Sequence, residues 1–434
     1  LFEWEDFAKA TSSRSTKLVH GGVRYLAQGD VSLVLEALYE RGLLQQNAPH
    51  LVKNQSFLIP NYRYWDNFLY TVGLTIYDIL AGRLSLGRSK YVSKKKTTSY
   101  LPTVRVDGLK GGVVYHDGQF DDSRLAVNLA QSCVENGGCP INRMKVTAIL
   151  HGSDGRARGV KVQDLMNGQE YEVKAKAVIN ATGIFVDSIM EMDVPTHEHM
   201  VKPSQGVHLV LDKSFLQSDY AIMIPKTDDG RVLFAVPWHD KVVVGTTDTL
   251  REHPELEPQA LESEIEFILN TAGRYLTRKP QRSDVLSVFA GLRPLAAPKK
   301  EGKSTKEISR SHKIFVSENK LITITGGKWT TYRRMAEDTV DKAIELNLLE
   351  KKACVTKKFR IHGYQLNPDL NNHLYIYGSD IQAIKTLMQS DPAMAEKLHP
   401  KYDYTVAEVV WAVREEMALN VEDILARRVR LLFL

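Results

Sequence analysis

Twice in this chain an apolar, strand-like run ends on a glycine turn. Ala175 to Asn180 leads into Ala181-Thr182-Gly183, and Leu321 to Thr325 leads into Gly326-Gly327-Lys328. Short apolar runs bounded by such turns read as buried strands feeding tight turns. After the second turn a helix is predicted from about Tyr332 to Leu348, and apolar spacing predicts further helices over 28–46 and 123–135. On the first of these, Val31, Leu33, Val34, Leu38, Leu43 and Leu44 would form the apolar face. Between the two glycine turns, from Val207 to Thr247, the pattern is β-rich. Arg231 to Pro237 and Lys241 to Gly245 flank Trp238-His239-Asp240, a hairpin signal in which Pro237 weakens the first strand near its end. Strands and helices alternate at the two ends with an antiparallel section between. That order predicts an α/β nucleotide-binding domain interrupted by a substrate domain.

At 434 residues the chain exceeds one ordinary core, so two or three domains are expected. After Lys352 the character changes to short helices. Val406, Val409, Val410, Val413 and Met417 fall on one helical face and predict an amphipathic helix in a separate C-terminal helical domain. A net charge of +5, with Lys94-Lys95-Lys96 as the densest basic run, gives no basic face for nucleic acid. Cys133, Cys139 and Cys354 have no C-x-x-C spacing, so no metal site is expected and free thiols in a reducing compartment are. No stretch reaches the roughly 18 apolar residues of a spanning helix, and no signal peptide is visible. The start at Leu1 and the apolar end Leu431 to Leu434 read as cuts in a longer chain.

The chemistry concentrates between Thr11 and Leu26. Five hydroxyls (Thr11, Ser12, Ser13, Ser15, Thr16) precede Gly21-Gly22 and Arg24-Tyr25. A helix cap needs one hydroxyl, whereas a phosphate or a ribityl chain uses several with exposed backbone N–H groups. Paired glycines let the backbone approach a flat ring, and Arg24 can grip a phosphate with two donors. Upstream, Glu3 closes a strand-like run. A carboxylate at such a strand tip accepts hydrogen bonds from ribose hydroxyls, about 20 residues after a Gly-rich turn that does not occur here; a solvated terminal carboxylate is the plainer reading.

From Glu3 to Leu26 the sequence is similar to the FAD-dependent (aerobic, respiratory) glycerol-3-phosphate dehydrogenase family. The similarity continues through Asp121-Asp122-Ser123-Arg124-Leu125, Asn180 to Gly183, Gly206-Val207-His208, Pro237-Trp238, Gly245-Thr246-Thr247-Asp248, Gly291-Leu292-Arg293-Pro294-Leu295, Ile308-Ser309-Arg310 and Gly326 to Arg333. It ends in Ala412 to Ala418 and Leu425-Ala426-Arg427-Arg428. The resemblance implies an FAD-binding Rossmann-like domain (1–60 with 108–190 and 288–350), interleaved with a mixed or antiparallel-sheet substrate domain (61–107 with 191–287). An all-helical C-terminal domain over 355–434 completes the expectation. It implies oxidation of sn-glycerol 3-phosphate to dihydroxyacetone phosphate by hydride transfer to FAD. It assigns Glu3, Thr11, Ser12, Ser15, Lys17, Leu18, His20, Gly21, Gly22, Val146, Thr182, Gly183, Gly327, Lys328 and Thr330 to the cofactor. His208, whose unperturbed pKa lies near neutrality, is the expected base. Arg293 is expected to stabilise the developing alkoxide, Lys328 to stand beside the flavin ring, and Arg24, Tyr25 and Arg310 to bind the phosphate. Taken without the resemblance, His208 also reads as a core histidine, Arg293 as the partner of a carboxylate and Lys328 as a turn cap.

The stretch from Tyr62 to Val92 supports two readings. Trp65, Phe68, Leu69, Val72, Leu74, Ile76, Tyr77, Ile79 and Leu80 form an apolar segment followed by Arg83, Arg88, Lys90 and Lys94 to Lys96. It suits a helix lying on an anionic membrane surface, and equally a core helix of the substrate domain. The family implies peripheral attachment to the inner face of the cell membrane on the cytoplasmic side, with quinone as electron acceptor, and is compatible with a homodimer. Two other functions stay open: a related oxidase that passes electrons to oxygen, and a flavoprotein-like scaffold without turnover.

Overall fold

The computed structural model describes residues 1–27, 29–227, 230–296 and 311–434. Arg310 lies outside the described residues. The largest sheet is organised by the strand Val201–Asp212, which is buried along nearly its whole length. Val285–Ala296 pairs antiparallel with one edge of it, and Lys241–Gly245 and Thr249–Leu250 with the other. The sheet continues through Leu233–Trp238, Ala221–Ile224, Val52–Asn61, Gly111–Phe120 and Leu18–Val19. The contact between Ala221–Ile224 and Val52–Asn61 is parallel and the other pairings in this sheet are antiparallel, so it is mixed. Its strands come from both sets of ranges expected above: Val52–Asn61, Gly111–Phe120 and Val285–Ala296 stand beside the 201–250 strands. The hairpin of Leu233–Trp238 and Lys241–Gly245 turns on His239-Asp240, with His239 at φ +52°.

A smaller three-stranded sheet holds the two glycine turns. Ile179–Asn180 runs parallel to Ile322–Thr325, which pairs antiparallel with Lys313–Val316. The helix Tyr332–Glu345 follows the second turn and closes with Asn347 in the left-handed conformation. The helix Val31–Asn47 is capped by Asp30, whose Oδ1 accepts from Leu33 N at 3.1 Å. It buries Leu33, Val34, Leu38, Leu43 and Leu44 as expected, but leaves Val31 exposed. Asp121 caps the helix Asp122–Glu135 in the same way.

The C-terminal part is helical but also contains a hairpin, Lys397–His399 with Tyr402–Thr405. Its helix Val406–Glu415 buries a different face from the one predicted. Ala407, Glu408 and Ala412 are inside, Val413 is 52% exposed, and Met417 lies beyond the helix at φ +54°. The reason is polar. Glu408 Oε2 accepts from Thr405 N at 2.7 Å and sits 3.1 Å from His373 Nε2, so a carboxylate partnered through that oxygen is drawn inward ahead of the valines.

Buried charge pairs fasten this part to the N-terminal segment. Asp6 takes Arg428 Nη1 and Nη2, each at 2.9 Å, and also Arg427; Arg124 meets Glu416; Asp122 meets Arg430. These groups are all at most 2% exposed, so pairing is what makes their burial tolerable.

The helix Tyr64–Ala81 turns Leu74, Tyr77 and Ala81 inward. Its other side displays Tyr64, Trp65, Phe68, Leu69, Val72, Ile76 and Ile79 to solvent. Among the described residues no helix is long and apolar enough to cross a membrane.

Candidate active site

Along the pairing of Val201–Asp212 with Val285–Ala296, His208 stands opposite Phe289, Gly206 opposite Gly291, and Ser204 opposite Arg293. Strand alternation puts all six on one sheet face. That face floors a cavity of about 490 Å³, a size that suits a small-molecule site. Glycine at 206 is needed for this floor: a Cβ there would lie 2.3 Å from Arg293 Nη2.

The Thr11–Leu26 segment forms a wall laced to the floor. Thr11 Oγ1 donates to Leu292 O at 2.7 Å, and Arg14 Nη1 donates to Ala290 O at 3.1 Å. Trp329 Nε1, from the second glycine turn, donates to Ser12 O at 2.8 Å. Thr11, Ser12, Ser15, Leu18, His20, Gly22, Arg24, Tyr25, Gly183, Gly327, Lys328 and Thr330 all line the cavity. Lys328 Nζ stands 4.1 Å from the centre of the Tyr25 ring, a cation–π contact that ties the glycine turn to the short helix Val23–Ala27.

Several expected cofactor residues are used by the chain itself. Thr11 and Ser15 both spend their hydroxyl protons internally, Ser15 Oγ on Asp122 Oδ2 at 2.7 Å. Lys17 is buried, with Nζ 2.7 Å from Asp122 Oδ2, and is not brought to the cavity. Its pKa is pushed down to about 8, burial outweighing the attraction of Asp122. Gly21 also stays outside the cavity lining. A Cβ there would meet Leu38 Cδ2 and Tyr77 Oη at 2.5 Å, so its smallness serves helix packing rather than approach to a ring. Gly22 does reach the cavity, at φ +80°.

Glu3, Val146 and Thr182 do not line this cavity. Met144 N donates to Glu3 O at 2.9 Å, and Trp4 packs on Phe185 just after Gly183. Burial raises the Glu3 carboxyl above its usual range, and among the described residues it has no ion-pair partner. A half-buried acceptor without a cation suits ribose hydroxyls. The cavity and these groups offer donors and acceptors of the kind an FAD needs.

His208 is 2% exposed. Burial, reinforced by the charges of Arg293 and Lys17, holds its pKa well below the ordinary value, so it is neutral at neutral pH. Its ring stacks on Phe289 with centroids 4.9 Å apart, and Nε2 lies 2.9 Å from Thr16 Oγ1. Arg293 Nη2 donates to Thr246 Oγ1 at 2.9 Å, and Nη1 is 3.6 Å from Asp248 Oδ1. The structure thus brings His208, Arg293, Lys328, Arg24 and Tyr25 to one cavity. Thr16, expected only as one of five hydroxyls for a phosphate or ribityl chain, lines it too, as do Arg231, Thr246 and Asp248, to which sequence reasoning gave no role; Gly245-Thr246-Thr247-Asp248 was visible as a motif, Arg231 carried no signal. Among the described residues no cluster of three or more His, Cys, Asp or Glu could hold a metal.

Residues 1–333 match the family of FAD dependent oxidoreductases, and residues 318–434 match the C-terminal domain of alpha-glycerophosphate oxidase. The chain is 38% identical to a probable mitochondrial glycerol-3-phosphate dehydrogenase of Caenorhabditis elegans, covering 100% of this chain and 64% of that protein. It is 38% identical to the mitochondrial glycerol-3-phosphate dehydrogenase of Schizosaccharomyces pombe, covering 100% and 77%. Among solved structures, the glycerol-3-phosphate dehydrogenase of Bacillus halodurans complexed with FAD superposes with a TM-score of 0.79 at 29% identity, covering 100% of this chain and 81% of that one.

Proposed function

The chain belongs to the FAD-dependent glycerol-3-phosphate dehydrogenase family, and on that premise we propose that it oxidises sn-glycerol 3-phosphate to dihydroxyacetone phosphate. The observation that carries this reading is the pairing, on one cavity floor, of a buried neutral imidazole with a guanidinium. When bound, the flavin supplies the acceptor for the C2 hydride. His208, neutral at working pH, is the group able to take the hydroxyl proton. Arg293 stands where it can steady negative charge developing on the C2 oxygen. Arg24 and Tyr25 face the phosphate, with Arg310 as a further donor. Lys328 brings positive charge beside the ring, and Glu3 accepts from the ribose. Glu3, Val146, Thr182 and the three-stranded sheet then form the cofactor side, and the large sheet the substrate side.

For the acceptor we favour membrane quinone over oxygen. The exposed apolar face of the Tyr64–Ala81 helix is followed by exposed Arg83, Arg88, Lys90 and Lys94 to Lys96. Apolar side chains beside basic ones suit peripheral attachment to an anionic leaflet, where a quinone is reached.

Anaerobic addition of glycerol 3-phosphate to the flavin-loaded protein should bleach the flavin absorption; a spectrum that stays oxidised would refute the dehydrogenase reading. In air, peroxide formed as fast as substrate is consumed would replace quinone by oxygen as acceptor.

A further inference from the structure

A base at His208 needs a path by which the substrate proton reaches a buried imidazole. Nδ1 is sealed from solvent and has no hydrogen-bond partner among the described residues. Any proton that reaches the ring therefore arrives at Nε2. The polar atom at Nε2 is Thr16 Oγ1, 2.9 Å away, and Thr16 itself lines the cavity.

Thr16 is held by its neighbours. Ser15 gives Asp122 Oδ2 two hydrogen bonds, from N at 3.2 Å and Oγ at 2.7 Å. Lys17 Nζ meets the same oxygen at 2.7 Å, and Lys17 N donates to Ser15 Oγ at 3.0 Å. Lys17 takes a left-handed conformation, φ +62°, an uncommon one for a non-glycine residue. Arg430 holds the other oxygen of Asp122. Residues 15 and 17 thus both turn to Asp122, while Thr16 between them turns to His208.

We infer that Thr16 is a second catalytic residue, the hydroxyl through which the substrate's proton passes to His208, with Asp122 as the positioning residue that aims it. The inference rests on the function proposed above. The substrate C2 hydroxyl gives its proton to Thr16 Oγ1 while the Thr16 hydroxyl proton moves to His208 Nε2. The C2 hydride leaves with its electron pair to the flavin, and a carbonyl forms at C2. Threonine ends unchanged and His208 ends as imidazolium. The resting ring must then carry its proton on Nδ1. Either neutral tautomer leaves Nδ1 without a partner, so the tautomer is chosen at Nε2, by whether Thr16 donates or accepts.

Two measurements test this. In holoenzyme with ¹⁵N-labelled histidine, the His208 nitrogen shifts should report the Nδ1–H tautomer in the absence of substrate; an Nε2–H tautomer overturns the relay whatever the activity. In anaerobic stopped flow, Thr16→Val should slow flavin reduction by glycerol 3-phosphate about 100-fold and leave the substrate Kd within about threefold of wild type. Thr16→Ser should restore the rate to within about tenfold, since the hydroxyl is what matters. Reduction by Thr16→Val at the wild-type rate, with His208→Ala slow, overturns the relay and leaves the base assignment standing. If His208→Ala is also unimpaired, it is the base assignment that has failed.

Discussion

Replacing Gly206 by alanine would set a methyl carbon 2.3 Å from Arg293 Nη2 and 2.7 Å from Thr246 Oγ1, where ordinary contact begins at 3.4 Å. The guanidinium must then withdraw by about 1 Å and its bond to Thr246 must break. Because the obstructed group is the far end of a flexible side chain, the fold itself yields easily. Alanine also restricts the unfolded chain more than glycine does, so the stability change should stay within about 1 kcal/mol. Catalysis is less tolerant: a misplacement of about 1 Å at a reacting centre costs on the order of 100-fold, or roughly 3 kcal/mol of barrier. The expected result is a flavin reduction rate down about 100-fold, with nearly unchanged urea unfolding and flavin content. The loss should also shrink to within about threefold in an Arg293→Ala background, because the two changes act on one group. Wild-type reduction by Gly206→Ala, or an equal loss with Arg293 already removed, would refute the role given to the floor.

Other consequences are as direct. Glu40, 2% exposed, takes Arg333 Nη2 at 2.6 Å and Nε at 2.8 Å, so Arg333→Met strands a buried carboxylate and should cost about 3–5 kcal/mol in urea unfolding. Adding Glu40→Gln should return part of it, and a single-variant loss below about 1 kcal/mol would contradict the pairing. Burial works against protonation of His362, but its bonds with Asp380 and Glu135 outweigh burial and lift its pKa to about 9. Its contribution to stability is therefore complete below its unfolded value near 6.5 and fades as pH rises through 9. The melting difference between wild type and His362→Gln should shrink over that window; a constant difference would oppose it. Trp65→Glu with Phe68→Glu should lower co-sedimentation with anionic lipid vesicles about tenfold or more while leaving turnover with a soluble acceptor intact. Unchanged sedimentation would remove that face as the contact.

Local signals carried far in this sequence. The glycine turns, the hairpin at His239-Asp240 and the helices at 31–47 and 122–135 follow from periodicity and capping that any short window contains. The Thr11–Leu26 segment announced a binding wall, yet two of its five hydroxyls, those of Thr11 and Ser15, point at Leu292 and Asp122 and not at a ligand. Gly21 shows why. Its constraint comes from Leu38 and Tyr77, on two other helices, and no window around Gly21 contains them. The face of Val406–Glu415 was misjudged because a carboxylate with a cap and a histidine partner competes with valine for the interior. His208 was legible as chemistry, but its partner Thr16 lies 192 residues away and only the fold joins them.

The buried pairs between Asp6, Asp122 and the Arg427 to Arg430 run also bear on how the molecule is built. More than 300 residues separate the partners. During synthesis Asp6 must stay hydrated, and Asp122 has only Lys17 and Ser15 to pair with, until the arginines emerge, because closing so distant a contact gains nothing until both ends exist. The loop that carries Thr16 should therefore be among the last parts to harden. The wall of the cavity and the Arg427–Arg430 segment then form a single opening unit. Amide hydrogen exchange should show Ser15 to Leu18 and Ala426 to Val429 opening with one common free energy, and two clearly separate values would mean that the segments loosen independently.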